Sequence, residues 1–140
     1  MRICVVDGQG GGIGSAIVKR LREAFCDRVE IVALGTNAIA TAAMLKAGAN
    51  RGATGENAVV RSVITADVIV GSLAIIMAHS MMGELTPAMA EAISASRALK
   101  ALIPMTQERV LMVGVSTQPL PHMIDDMIGH LRREVDKGHV

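Results

Sequence analysis

The chain has 140 residues, 51% of them hydrophobic and 19% charged, with a formal net charge of +1. That balance suits one packed domain, excludes a disordered chain, and offers no one-signed field to attract nucleic acid or an anionic membrane. A single phenylalanine, with no tyrosine and no tryptophan, removes tyrosine chemistry and aromatic stacking platforms from consideration.

Residues 2–6 (Arg-Ile-Cys-Val-Val) form a short apolar run that reads as a buried parallel strand. Glycines follow. Then Ile13, Ala16, Ile17, Leu21, Ala24 and Phe25 recur at helical spacing between Lys19, Arg20, Arg22 and Glu23. Residues 29–34 read as a second strand closed by Gly35, and 37–47 as a helix of small residues stopped by Gly48. Residues 49–55 admit at most a short strand, and a short helix over 56–64 follows with Thr54 as a candidate cap. The next buried strand covers 66–70 and ends at Gly71, and the apolar stretch 72–82 is expected to be helical. Thr86-Pro87 opens another helix. Residues 100–103 and 109–113 read as two further strands. The last helix, 119–135, carries the stripe Leu120, Met123, Ile124, Met127, Ile128, Leu131 and Val135.

Strands alternating with helices imply parallel pairing through right-handed crossovers. The expected fold class is therefore α/β, a three-layer, doubly wound parallel sheet that is Rossmann-like, with residues 1–140 as a single nucleotide-binding domain.

The strongest local signal is Asp7-Gly8-Gln9-Gly10-Gly11-Gly12-Ile13-Gly14, set between the first strand and the first helix. Gly8 permits a tight exit from the strand, Gly12 lets the backbone approach a pyrophosphate, and Gly14 allows the helix to sit close on the sheet. Free amides and the positive dipole end of the helix then favour an anion. The spacing resembles the glycine motif of short-chain dehydrogenases, and residues 66–70 resemble that family's central strand. That family's catalytic tyrosine has no counterpart in a chain without Tyr, and Asp7 stands where it usually has Thr. Glycine loops of this look also occur in tubulin-like GTPases, so a mononucleotide stays open beside a dinucleotide.

A site for NAD usually has Asp or Glu at the end of the second strand to hold the ribose diol. Here that position reads Leu34-Gly35-Thr36-Asn37. Thr36 and Asn37 suit a helix cap as well as a ribose hydroxyl or 2′-phosphate. If both roles hold, NADP is favoured over NAD, and Arg51 could supply charge for the 2′-phosphate. Ligands of open parallel sheets lie beyond the carboxyl ends of the strands. That rule collects Asp7 and the glycine loop, Thr36, Asn37, the segment 50–57 with Arg51 and Thr54, Gly71, Ser72, Thr106, Ser116 and Thr117 into one rim.

Other candidates have plainer readings. His79 is expected to be a hydrogen-bonded core or interface histidine. His122, Asp126 and His130 share a helical spacing that suits a metal, but they face away from the apolar stripe, so no metal site is assigned. Ten methionines replace the missing aromatics as adaptable core filler. Two cysteines outside any C-x-x-C pair, no apolar leader after Arg2 and no stretch long enough to span a bilayer point to a reduced, cytoplasmic protein.

Taken together, residues 7–14, 33–38, 46–58 and 119–122 (Pro-Leu-Pro-His) resemble an uncharacterised family of small bacterial proteins with a single Rossmann-like domain. The resemblance implies a stand-alone domain and brings no activity with it.

The expected function is nucleotide or dinucleotide binding, an NADP- or NAD-like ligand at the glycine loop, without short-chain dehydrogenase chemistry, as in a sensor or regulatory subunit. The alternative is a small enzyme acting on a phosphorylated or nucleotide substrate, with Asp7 as acid/base or magnesium ligand. A homodimer is expected, because so apolar a domain has little charged surface; helix 37–47 and the methionine-bearing stretch 72–82 are its candidate contacts.

Overall fold

The computed structural model describes residues 1–140. Five strands, β1 (Arg2–Asp7), β2 (Glu30–Gly35), β3 (Arg51–Thr54), β4 (Val68–Ser72) and β5 (Leu99–Ile103), form one sheet. Its order is β3-β2-β1-β4-β5, and every pairing is parallel. Helices α1 (Gly12–Phe25), α2 (Ala38–Lys46), α3 (Glu56–Ser62), α4 (Pro87–Ala95) and α5 (Leu120–Asp136) make the crossovers and the final return.

The three central strands, β2, β1 and β4, are buried on both faces, so their sequences are apolar without alternation, yet the pleat still sends neighbours to opposite sides. Ile3 and Val5 of β1 join Ile17, Val18 and Leu21 of α1, Met44 of α2 and Ile128 of α5 in one core. Cys4 and Val6 join Val59 of α3 with Met89 and Ile93 of α4 in the other. The domain is thus α/β in three layers, with α1, α2 and α5 on one face and α3 and α4 on the other.

Caps fall where short polar side chains precede apolar runs. The Asn37 side chain accepts the Ala40 amide at the start of α2, and Thr86 accepts the Met89 amide ahead of Pro87. Thr54 does not cap α3. Gly55 takes that place, while the Thr54 hydroxyl lies 2.7 Å from that of Thr41 on α2.

Two expected elements are corrected. Residues 72–82 are not one helix: a 3-10 turn, Leu73–Ile76, leads into tight turns with positive φ at His79, Met81 and Met82. Buried Ser80 donates to the Ala74 carbonyl and Leu85 receives the His79 amide, which closes the segment on itself instead of propagating i to i−4 bonds. His79 is correspondingly exposed, not a core residue. Residues 109–113 form no strand, because an extended apolar segment becomes one only when an edge pairs with it.

Candidate functional site

The strand order reverses between β1, which goes on to β2 on one side, and β4, which goes on to β5 on the other. The carboxyl ends of β1 and β4 therefore open a crevice between crossovers running in opposite directions. Asp7 ends β1 and Ser72 ends β4, and both line a cavity of about 150 Å³ with Ile13, Met81, Met105 and Thr106.

From Asp7 the chain turns through Gln9 (φ +48°) and Gly11 (φ +74°) into α1. The Gly11 amide donates to the Gly8 carbonyl at 2.9 Å and closes this turn. Glycine is required for two distinct reasons. A Cβ at Gly14 would come within 2.6 Å of Met44 Sδ and 2.8 Å of Asp7 Cβ, so α1 rests directly on β1 and α2. A Cβ at Gly10 or Gly12 would meet nothing within 4 Å. Those two positions leave the outer surface of the loop open.

The amides of the loop fall into two groups. Asp7 Oδ1 accepts the Gly8 amide at 2.8 Å and Oδ2 accepts the Gly14 amide at 2.6 Å. Asp7 is the buried anion of this helix start. Its pKa is raised, first by burial, which outweighs the two amides, and further by the negative charge of Glu84. By contrast, the amides of Gly10, Gly12 and Ile13 have no partner within the protein. They stand at the positive end of α1, whose first turn holds no acidic residue.

Glu84, from the turn before α4, completes the arrangement. Its Oε1 accepts from Thr36 Oγ1 at 2.6 Å, Asn37 Nδ2 at 2.7 Å and the Gln9 amide at 2.9 Å. The Thr36 hydroxyl, and after it the Gln9 amide and Asn37, hold the carboxyl below its ordinary range. Asn37 Nδ2 also donates to the Gln9 carbonyl at 2.9 Å, tying the glycine loop to the end of β2. A carboxylate thus stands at the end of β2 although β2 carries none there.

The rim expected from sequence is brought together in part. Asp7 to Gly14, Thr36, Asn37 and Ser72 gather at the crevice. Gly71 contributes closeness only, since a Cβ there would lie 2.8 Å from the Val6 carbonyl oxygen. Thr54 is spent on Thr41. Arg51 begins β3, at the opposite end of the strands, where its Nη2 pairs with Glu30 Oε1 at 2.6 Å. It is therefore not placed to charge this site. The charge that Arg51 was expected to lend a 2′-phosphate is not at this site, and Glu84 puts negative charge beside Thr36. Glu84 was missed because nothing in its own neighbourhood marks it; the one signal was a second strand lacking the carboxylate that a ribose would want.

No group of three or more His, Cys, Asp or Glu side chains is placed to hold a metal ion. Each Asp7 oxygen already accepts one main-chain amide, so the carboxyl group is fixed in place at the cavity wall. No helix is long and apolar enough to cross a membrane.

Residues 2–136 match a protein family described as a domain of unknown function, DUF3842. No curated protein matches the sequence. Among solved structures, the chain is similar to a dodecameric FMN-dependent Ubix-like decarboxylase from Escherichia coli O157:H7. The two are 16% identical with a TM-score of 0.45, over 95% of this chain and 75% of that one.

Proposed function

Taking as premise that the chain belongs to the DUF3842 family, we propose that it is a nucleotide-binding protein whose ligand carries a pyrophosphate and an unmodified ribose diol, as NAD does. The phosphates lie against the amides of Gly12 and Ile13 at the start of α1, over the open surface of Gly10 and Gly12. Ribose hydroxyls donate to Glu84, whose Oε2 makes no hydrogen bond within the protein while Oε1 is held by three donors.

The observation that carries this reading is the pairing of unpartnered helix-start amides with a carboxylate anchored at the end of β2. A carboxylate accepts from two vicinal hydroxyls and repels a 2′-phosphate, so the ligand is NAD-like in place of NADP-like. The crevice is lined by Asp7 and Glu108 and by no Lys or Arg, with Glu84 beside it on the Gln9 amide. Phosphate is then met by neutral amides alone, which suits a dispersed pyrophosphate better than a terminal phosphate of higher charge.

With no tyrosine in the chain, the reduction chemistry of short-chain dehydrogenases has no proton donor of its usual kind. Binding without that chemistry, in a sensor or regulatory subunit, is the functional role proposed. Thermal unfolding in the presence of NAD, NADP, ATP and GTP tests it. NAD at 100 times its dissociation constant should add about 2.7 kcal/mol, with a smaller response to NADP; no response to any of the four overturns the reading.

A further inference from the structure

The segment 104–119 joins β5 to α5 without regular structure and carries Val110-Leu111-Met112-Val113. Its side chains are exposed in alternation: Val110 42%, Leu111 90%, Met112 39% and Val113 92%. All four are exposed, Leu111 and Val113 almost wholly, which leaves an apolar tract in water. Along 110–113 only the Val110 amide has a partner, the Glu108 carbonyl at 2.8 Å. An apolar, β-prone tract with unpaired amides is a surface in want of a sheet edge.

Such an edge is also present. The sheet ends at β5, whose outer side has no neighbouring strand. The opposite edge, β3, is short and carries Arg51 and Gly52, both of which discourage pairing, whereas β5 reads Leu-Lys-Ala-Leu-Ile. Between β5 and α5 runs a groove of about 520 Å³, lined by Leu99, Leu102, Met123, Met127 and Leu131, with Asp126 among its polar residues and Val115 of the joining segment along it. Arg109, next to the exposed tract, makes no ion pair, and neither does Asp126.

We infer that a second copy of this chain is the occupant. Residues 110–113 of each copy add as a sixth strand to β5 of the other, with Leu111 and Val113 entering the groove and Arg109 facing Asp126 across the contact. The exchange is reciprocal, as a two-fold dimer requires, and it pairs backbone groups and apolar faces that a monomer leaves in water. It places the subunit contact at the β5 edge in place of α2 or residues 72–82.

Light scattering and sedimentation of the full chain test this, with hydrogen exchange as the local readout. The wild type should be a dimer with slowed exchange at 99–103 and 110–113. Leu111→Asp with Val113→Asp alters only exposed side chains, so the variant should keep a cooperative thermal transition, with a midpoint that no longer depends on protein concentration, and sediment as a monomer. Arg109→Glu should weaken association at least tenfold, and Asp126→Arg combined with it should restore association. A monomeric wild type at high concentration, a dimer that survives the double aspartate substitution, or failure of the charge exchange to restore pairing would each overturn the proposal.

Discussion

Glu84 Oε1 and Asn37 Nδ2 meet at 2.7 Å across 47 residues of sequence. That contact joins the turn ahead of α4 to the end of β2, and through Gln9 it also holds the glycine loop. A carboxylate supplied from the far side of the switch point thereby stands where β2 carries none.

Glu84→Ala should separate the two nicotinamide dinucleotides. Loss of charge-assisted hydrogen bonds to ribose is worth about 1.5–3 kcal/mol, a drop of roughly tenfold to a hundredfold in NAD affinity by calorimetry. NADP affinity should rise or hold, since the repelling charge is gone. Equal losses for both ligands would place Glu84 outside the ribose contact.

The glycines at 12 and 14 should part company under the same substitution. Gly14→Ala forces a Cβ against Met44 and Asp7 and should cost about 1–3 kcal/mol of stability by overpacking. Gly12→Ala meets open space at the first position of a helix and should leave the thermal midpoint unchanged or slightly raised. Its methyl group would nevertheless stand where the pyrophosphate approaches, so NAD binding should fall while folding is intact.

Asp7→Ala removes the acceptor of two buried amides, Gly8 and Gly14. At about 1–3 kcal/mol for each orphaned donor, chemical denaturation should reveal a loss of about 2–6 kcal/mol. Arg51→Ala is the control. Its pairing with Glu30 is partly exposed and worth at most about 1 kcal/mol, and nucleotide affinity should not move.

The two carboxylates at the crevice should titrate in opposite senses. Glu84 is held below its ordinary 4.5, chiefly by the Thr36 hydroxyl. The stability it lends is therefore present above pH 4.5 and lost as pH falls through its lowered folded value. Asp7 is raised above its ordinary 3.8, chiefly by burial. Its contribution is full below pH 3.8 and fades as pH rises through the elevated folded value. Thermal melts against pH should show the advantage of wild type over Glu84→Gln disappearing in acid. The advantage over Asp7→Asn should instead shrink as pH rises.

Much of the fold was legible along the chain because the signals are local. The β-branched run 2–6, the apolar stripe of α5 and the Thr86-Pro87 start each reflect a period or cap that holds whatever lies around it. The loop at 7–14 could be located for the same reason, since a turn between strand and helix needs glycine wherever the chain closes on itself. Residues 72–82 and 109–113 misled because apolar content alone does not choose between helix, strand and an unpaired extension. That choice rests on hydrogen-bond partners outside the segment, Leu85 for the first and no paired strand for the second.

By itself, then, the sequence determined a parallel α/β sheet and a glycine turn at the head of its first helix, since period, capping and glycine freedom act within a few residues. Tertiary structure alone decided which amides are spent on Asp7, that Arg51 answers Glu30 and not a ligand, and that Glu84 stands beside Asn37. The reason is that strand order sets those distances. Where β1 and β4 meet, crossovers running in opposite directions bring together residues that no sequence spacing relates.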